Sequence, residues 1–254
     1  MTSPKTRLIA RIDVKNEHVI KGIHLEGLRK VGDPIKLATK YYIEGIDEIL
    51  FMDAVASLYN RNNLFHIIQE ACKEVFIPIT IGGGIRTIED IAKALHSGAD
   101  KISLNTQAIK NPELIKKASE IYGSQCIVAS IEAKKRGPNS WEAYIDTGRE
   151  ETGLDVVEWA QKLVELGAGE ILVTSVDKEG TKKGFDLDLF KAINENVNIP
   201  VIISGGAGKL EHLKEAAQIG DAFALASLLH YNINTIQEVK EHLKLNNINV
   251  RTNA

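Results

Sequence analysis

Two glycine-rich segments have the composition of phosphate-binding loops. They are PITIGGGIRT, residues 78–87, and VIISGGAGK, residues 201–209, and in both an apolar run ends in glycines before a helical pattern. Glycines at such a junction leave backbone N–H groups uncovered at the positive end of a helix, where an anion binds. A tight turn would explain either segment alone. Gly83 lies 122 positions before Gly205, and this repetition favours two phosphate sites.

Two acidic residues follow apolar runs in a similar way and are candidates for acid–base chemistry. Asp13 ends the run that begins at Leu8, and Glu132 follows residues 126–131, 119 positions after Asp13. Two carboxyl groups that face one pocket can donate a proton from one side and accept a proton on the other. The alternative is that each acid orients a neighbouring loop. The matching positions of the two acids favour chemistry.

The elements that must position these residues are short apolar strands that alternate with longer amphipathic helices. We predict strands over residues 8–14, 48–53, 77–81, 101–104, 126–131, 170–175, 200–204 and 222–226. The predicted helices cover residues 33–44, 60–75, 87–97, 111–121, 152–166, 185–196, 209–219 and 235–245. Eight such units are typical of an α/β fold, the (β/α)8 or TIM barrel, whose reactive groups lie where the strands end. We expect residues 1–254 to form one barrel domain, because no Pro- or Gly-rich linker interrupts the pattern.

An internal repeat divides the expected barrel into halves, about residues 1–122 and 123–254. The aligned segments are 45–57 with 167–179 and 98–106 with 219–227. The two acids then lie on opposite sides of the barrel mouth, with a glycine loop in each half. This arrangement suits an elongated substrate that carries a phosphate at each end.

Composition excludes several other function classes. The chain has 31 Lys and Arg against 34 Asp and Glu, a formal charge of −3, so it lacks the basic footprint of a nucleic-acid-binding protein. No window approaches ~18 uninterrupted apolar residues, so we expect no membrane span. The N-terminal residues lack the long apolar core of a signal peptide. Cys72 and Cys126 have no metal-type spacing, which favours reduced thiols in a cytoplasmic protein.

A series of motifs follows one another along nearly the whole chain. They are Lys21-Gly22, Gly32-Asp33-Pro34, IGGGIR, ADKISLNT, TGREETG, GAGEILVTS, EGTKKG and ISGGAGK. In these motifs the chain resembles the HisF family, the cyclase subunit of imidazole glycerol phosphate synthase. The resemblance implies a heterodimer in which a HisH-type glutaminase supplies ammonia. The barrel then reacts ammonia with the bis-phosphorylated ribulosyl ribonucleotide PRFAR, giving imidazole glycerol phosphate and AICAR in histidine biosynthesis, and no metal or organic cofactor is implied.

The resemblance also implies roles for residues at the mouth. Asp13 matches the first catalytic aspartate of the family, and Glu132 stands at the position of the second. Lys21 matches a loop lysine that closes over substrate, and Thr174 matches a position that lines the active site. The residues that match the two phosphate sites are Gly83, Asn105 and Thr106 for one and Gly205, Gly206, Ala226 and Ser227 for the other.

Four charged residues at predicted strand beginnings match a family ring that gates ammonia at the barrel base: Arg7, Glu48, Lys101 and Glu170. Charges at the base of an apolar barrel are costly unless they are paired. A structural ion-pair plug is therefore the alternative to a gate. A glutaminase docked on the N-terminal face of the barrel would turn the plug into a gate.

Four residues depart from the family pattern close to the expected chemistry, among them Val55, which replaces a threonine near the pocket. Glu132 replaces an aspartate, and its added methylene moves the carboxyl by about 1.5 Å, a misplacement that can cost on the order of 10²-fold in rate. Glu179 also replaces an aspartate, and Arg11 replaces a small cysteine. Strand alternation directs Arg11 into the barrel one layer below Asp13. There a guanidinium would lower the pKa of the carboxyls it reaches and narrow the route of ammonia.

Three functions remain open from the sequence. The first is the cyclase reaction on PRFAR, with Asp13 and Glu132 as the acid–base pair. The second is a conduit that passes glutaminase-derived ammonia to a separate amidotransferase for acetamidino surface sugars, a divergent HisF-like branch that KGIHLEGLRKVGDP and SIEAKKRG resemble. The third is the related single-substrate isomerase of histidine synthesis, which the charged ring and the motif order disfavour.

Overall fold

The computed structural model describes residues 6–54, 64–220 and 222–251 of the chain. Its strands are β1 (Arg7–Lys15), β2 (His18–Ile23), β3 (Glu26–Gly32), β4 (Glu48–Asp53), β5 (Ile79–Gly82), β6 (Lys101–Leu104), β7 (Ile127–Gly137), β8 (Ser140–Ile145), β9 (Glu150–Asp155), β10 (Glu170–Ser175), β11 (Val201–Ser204) and β12 (Ala222–Leu225). Eight of them pair in parallel in the order β1-β4-β5-β6-β7-β10-β11-β12, and β12 returns to β1. This closed ring, with helices between its strands, confirms the predicted (β/α)8 barrel.

Helices connect the barrel strands on the outside. They are α1 (Pro34–Ile43), α2 (Leu64–Ala71), α3 (Ile88–His96), α4 (Thr106–Lys110), α5 (Glu113–Tyr122), α6 (Val156–Glu165), α7 (Leu187–Asn194), α8 (Leu210–Ala216), α9 (Ser227–His230) and α10 (Ile236–Leu245). Several of these helices begin with a capping interaction. Asp33 precedes Pro34, the first residue of α1, and its carboxylate accepts a hydrogen bond from the Lys36 N–H. Thr87 forms a capping box with Asp90 at the start of α3. None of these helices is long and apolar enough to cross a membrane.

Two antiparallel additions at the barrel mouth were not predicted. The β2–β3 hairpin pairs with the end of β1, and β8 and β9 extend the end of β7. Two predicted bounds are consequently wrong. The strand expected to end at residue 131 continues to Gly137, because its end pairs with β8. The helix expected from residue 152 begins at Val156, because β9 occupies the preceding residues and the Asp155 carboxylate caps the helix.

Other differences from the predicted elements are smaller. The short helices α4 and α9, which begin at Thr106 and Ser227, were not predicted. Residues 60–63 of the helix predicted over 60–75 lie outside the described residues, and the described part of that helix is α2. The strands β4, β6 and β10 have the bounds that were predicted, 48–53, 101–104 and 170–175.

The barrel interior is a separate small core inside the ring of strands. Its apolar side chains are Ile9, Leu50, Val128, Leu172, Ile202, Ala222 and Ala224, with Met52 packed against them. The larger core lies between the outer faces of the strands and the helices. Each barrel strand is therefore buried on both faces, which explains its near-continuous Val, Ile, Leu and Ala content.

A buried ion pair attaches the last helix to the base of the barrel. The Lys240 ammonium donates to Asp47 Oδ1 at 2.9 Å and to the Gly45 carbonyl at 2.6 Å. The other Asp47 oxygen accepts the backbone N–H of Leu8 at 2.8 Å. Both side chains are under 10% exposed, 9% for Lys240 and 4% for Asp47. Removing the ammonium would leave a buried carboxylate without its counter-charge.

We expect Lys240→Ala to lower the free energy of unfolding by about 3 kcal/mol, since breaking a buried ion pair from one side is strongly destabilising. Urea unfolding followed by circular dichroism measures this loss. The control is Lys162→Ala, which removes an exposed pair with Glu165 and should leave the urea midpoint nearly unchanged. Equal, small losses in the two variants would show that the Lys240 pair does not anchor the helix.

Candidate active site at the barrel mouth

Asp13 and Glu132 lie across the mouth from each other. Their strands, β1 and β7, are separated by three strands in either direction around the barrel. Both side chains are buried, and both line one small cavity of about 50 Å³ beneath the β2–β3 hairpin, together with Lys21. The structure therefore brings together the two acids and the lysine that the sequence analysis selected.

Asp13 is held in its ionised form. Its Oδ1 accepts a hydrogen bond from Arg11 Nε at 2.9 Å. Burial alone would raise the pKa of this carboxyl, but the positive charges of Arg11 and Lys21 hold the pKa below its usual range. Asp13 is thus a carboxylate at neutral pH and can act as a proton acceptor.

Glu132 has the opposite electrostatic character. Burial raises its pKa to about 7, although its Oε2 accepts the Gly148 backbone N–H at 2.8 Å, which favours the ionised form. We expected Arg11 to lower the pKa of the carboxyls it reached, and its charge acts in that direction on both Asp13 and Glu132. At Glu132, however, the loss of solvation outweighs the guanidinium, so the net shift of the pKa is upward. At pH 7, about half of the Glu132 side chains therefore hold a proton that they can donate.

Arg11 also contacts two hydroxyl groups on strands at the far side of the lumen. Its Nη1 donates to Thr174 Oγ1 at 2.8 Å and to Ser204 Oγ at 3.2 Å. Thr174, expected to line the active site, is 1% exposed and faces the guanidinium. Sequence alternation correctly placed Arg11 inside the barrel but left open which of the two acids it would contact.

Lys21 forms a buried ion pair that closes the hairpin over the mouth. Its ammonium contacts Glu179 on the loop after β10, and the His24 N–H donates to the Glu179 carbonyl at 2.8 Å. Burial lowers the pKa of Lys21 to about 8. The Glu179 carboxylate, a departure from the family pattern, is thus the direct partner of the loop lysine.

The first glycine loop borders an open cavity of about 280 Å³ that reaches Glu132. Gly83, Asn105 and Thr106 all line it, as expected for one phosphate site. Gly83 has φ 88°, and a Cβ there would lie 2.4 Å from the Asp53 carbonyl oxygen, so this position requires glycine.

Two basic residues line the same cavity and were not selected from the sequence. Arg86 lies two residues after the last glycine of IGGGI, and Lys110 ends α4. The signal for Arg86 was its place in the motif, where a cation beside uncovered N–H groups adds to anion binding. No comparable signal identified Lys110, because a helix C-terminal lysine is commonly a solvated cation.

The second glycine loop is covered in this structure. The Gly184 N–H donates to the Gly206 carbonyl at 2.9 Å, and a Cβ on Gly205 would lie 3.3 Å from Glu179 Oε2. Ala226 is half-buried and Ser227 is buried. The loop that carries Glu179 therefore packs against Gly205 and Gly206, the glycines of the second predicted phosphate site.

The four charged residues predicted at the base form a closed ring of ion pairs. Arg7 Nη1 lies 2.8 Å from Glu48 Oε1, and Arg7 also pairs with Glu170. Lys101 Nζ lies 3.2 Å from Glu48 and 2.8 Å from Glu170. Each cation contacts both anions, so every charge of this basal ring is paired at the entrance to the apolar lumen.

Within the described ranges, no group of three or more His, Cys, Asp and Glu side chains could hold a metal ion. The ionisable side chains that line the two cavities at the mouth include the carboxyls of Asp13 and Glu132 and the cations Arg11, Lys21, Arg86 and Lys110. An ionised acid opposite a protonated acid suits proton transfer on both faces of a bound substrate.

Comparison with known proteins identifies relatives over most of the chain. A family model described as histidine biosynthesis protein matches residues 7–235. The chain is 50% identical over 246 residues to the imidazole glycerol phosphate synthase subunit HisF of Endomicrobium trichonymphae, covering 96% of this chain and 95% of that protein. It is 57% identical over 205 residues to the protein of the same name from Legionella pneumophila, covering 81% of this chain and 97% of that protein.

The raised pKa of Glu132 predicts a pH-dependent stability cost. A carboxyl whose pKa is about 7 when folded and 4.5 when unfolded binds more protons in the folded state, so stability falls as pH rises from 4.5 to 7. Glu132→Gln removes this cost. Its unfolding free energy should exceed that of the unsubstituted protein by less than about 1 kcal/mol at pH 5 and by about 3 kcal/mol at pH 8.

Urea unfolding at half-unit pH intervals measures the difference. Glu165→Gln changes an exposed carboxyl, 67% exposed, and serves as the matched control with no such trend. A constant difference between Glu132→Gln and the unsubstituted protein across this range would show that Glu132 is ionised throughout.

Proposed function

This chain belongs to the histidine-biosynthesis protein family and, within it, to the HisF subunits of imidazole glycerol phosphate synthase, and from that premise we propose how its barrel carries out the cyclase reaction. The resemblance stated from the motifs is confirmed by both relatives. Both carry the HisF name, which disfavours the isomerase. The reaction joins ammonia to PRFAR and gives imidazole glycerol phosphate and AICAR. We place the protein in the cytoplasm, where phosphorylated metabolites of this kind are found.

One observation carries the mechanism: the two acids face one cavity, and Arg11 donates a hydrogen bond to Asp13. Asp13, kept ionised by Arg11, accepts a proton from the substrate or from ammonia as the new C–N bond forms. Glu132, with a pKa of about 7, donates a proton to the group that leaves. General acid–base catalysis of this kind contributes typically 10²–10⁴-fold to a rate.

The mouth must open before the substrate binds. The cavity between Asp13 and Glu132 measures about 50 Å³, which holds one or two water-sized molecules. The β2–β3 hairpin lines it through Ile20, Lys21 and Leu28, and the Lys21–Glu179 pair joins this hairpin to the loop after β10. We therefore assign Lys21 to closure: it exchanges Glu179 for an anionic group of the substrate when the hairpin closes again.

The two phosphates of the substrate would bind in opposite halves of the barrel. Strands β5 and β11, which lead into the glycine loops, are separated by three strands in both directions. Gly83, Asn105 and Thr106 would bind one phosphate in the open cavity. Gly205, Gly206, Ala226 and Ser227 would bind the other after the covering loop moves.

Ammonia would reach the mouth through the lumen. The basal ring of Arg7, Glu48, Lys101 and Glu170 closes the lower entrance, and the apolar layer of Ile9, Leu50 and Leu172 follows. An apolar tube favours neutral ammonia over ammonium, because an ion entering it loses its solvation. We assign the ring to gating, in which the ion pairs separate to admit ammonia.

The glutaminase partner would dock on the face that carries the basal ring. In a parallel barrel the helices end, and the strands begin, at this face. Large apolar side chains are exposed there, at helix ends or in the segments that lead to strands: Ile43 at 75%, Phe76 at 73%, Ile121 at 59% and Leu245 at 83%. Apolar side chains around a paired charged entrance suit a subunit interface.

A second function is favoured by one specific observation. Arg11 already hydrogen-bonds Asp13 and Thr174, and Glu132 is one methylene longer than the aspartate expected at its position. The mouth therefore differs from the family pattern at the residues that would carry out the chemistry. A subunit that only conducts ammonia to a separate amidotransferase for acetamidino sugars would need the ring and the lumen but not this chemistry. Turnover of PRFAR distinguishes the two functions.

We expect Asp13→Asn to lower PRFAR turnover with ammonium salt by at least about 10²-fold, because the amide cannot accept a proton. The measurement is the rate of PRFAR absorbance loss with purified protein. Asp188→Asn, an exposed acid at the start of α7, is the control and should retain the full rate. Binding of PRFAR by the unsubstituted protein without turnover would reject the cyclase and support the conduit.

We expect Phe76→Glu and Ile121→Glu to weaken binding of the glutaminase by about tenfold or more, since each places an uncompensated charge in an apolar contact. Isothermal titration calorimetry measures the dissociation constants. Ile23→Glu makes the same change on the β2–β3 hairpin, at 57% exposure, and should leave binding unchanged. If Ile23→Glu alone weakened the complex, the partner would dock on the mouth instead.

A further inference from the structure

Arg11 occupies an unusual position for a charged side chain, between the apolar lumen and the mouth. It is 4% exposed. Its guanidinium bonds Asp13 on its own strand, Thr174 on β10 and Ser204 on β11. Strand β10 is three strands away from β1 around the barrel, so the side chain reaches across the lumen.

The layers above and below Arg11 differ in character. Below it lie the apolar side chains of the lumen, including Ile9 two residues earlier on the same strand. Above it lies the 50 Å³ cavity, which Arg11 lines together with Asp13, Lys21 and Glu132. The guanidinium therefore lies at the boundary between the apolar side chains of the lumen and the cavity that the two acids line.

We propose that Arg11 is a positioning residue that fixes the Asp13 carboxylate to the ends of β10 and β11 and thereby closes the upper end of the lumen. The closure rests on the proposed function, in that ammonia is taken to travel through the lumen. The basal ring then closes one end of this tube and Arg11 closes the other.

The planar fork of arginine suits this task. Nε and Nη1 donate in fixed directions to a carboxylate and to two hydroxyls, whereas the compact ammonium of lysine cannot span the same three partners. A substrate that bonds Asp13 or Thr174 competes with Arg11 for the same atoms.

The charged and titratable groups that face Asp13 come from four elements. Arg11 lies on β1, Lys21 on β2, Glu132 on β7 and His230 on α9. Burial lowers the pKa of His230 to about 4, so its imidazole is neutral at physiological pH. Arg11 is accordingly the cation whose removal changes the state of Asp13 most.

The first experiment measures the Asp13 carboxyl directly. Selective ¹³C labelling of Asp side chains, with Asp13→Asn for assignment, gives its titration by NMR in the isolated full-length chain. In Arg11→Met the pKa of the Asp13 carboxyl should rise by about 1–3 pH units. In Arg11→Lys this pKa should rise much less, because the positive charge is kept. Arg29→Met, at an exposed position of β3, should leave it unchanged. An unchanged titration in Arg11→Met would overturn the positioning role.

The second experiment measures closure in the complex with the glutaminase. For each variant, the rate of product formation from glutamine is divided by the rate from ammonium salt, so any effect on chemistry cancels. We expect Arg11→Ala and Arg11→Lys to raise this ratio several-fold, and Arg29→Met to leave it at the starting value. A ratio that Arg11→Ala leaves unchanged would overturn the closure.

The two proposals fail in different ways. If the unsubstituted chain makes no product from ammonium salt, the cyclase function is rejected, while the NMR titration still decides the role of Arg11. If product forms but the titration and the ratio are insensitive to Arg11, the cyclase function stands and the inference about Arg11 is rejected.

Discussion

The requirement that a charge inside a closed barrel be paired governs how this molecule is built. The lumen offers no solvent to a buried ion, so each charge needs a counter-charge or hydrogen bonds in reach. The basal ring meets this need with two cations and two anions, and Arg11 meets it with Asp13 and two hydroxyls. At the top, the Lys21–Glu179 pair serves the same need while joining two loops. The paired layers and the apolar section between them define the axis along which the chemistry is arranged.

The same requirement explains why two acids at matching positions differ in protonation. Asp13 has Arg11 in direct contact, whereas Glu132 has the Gly148 N–H as its hydrogen-bond donor and is equally buried. The positive charges of Arg11 and Lys21, on one side of the mouth, separate the pKa values of the two carboxyls. The duplicated scaffold therefore gives equivalent positions, and the cations beside one of them make the chemistry of the two acids unequal.

Much of the fold and site followed from local patterns in the sequence. The barrel strands carry apolar runs and the glycine loops lie at a fixed offset within a repeat, so periodicity located them, whereas the charged ring was placed by the resemblance to the HisF family. The antiparallel additions did not follow, because segments such as EGLRKVG are polar, are half-exposed and pair only with a neighbouring strand. The sequence also did not predict the raised pKa of Glu132, or that Arg11 hydrogen-bonds Asp13 and not Glu132. Both depend on burial and on distances across the barrel, which no sequence spacing encodes.

The two halves of the mouth also differ in access, and this sets an order of events for a ligand charged at both ends. The cavity beside Gly83 is open, while the loop that carries Glu179 packs over Gly205 and Gly206. One terminus of such a ligand can dock at once, and the other must wait for the covering loop to detach. Capture would proceed as a rapid encounter followed by a slower enclosure, and the molecule would enter the barrel in one orientation only.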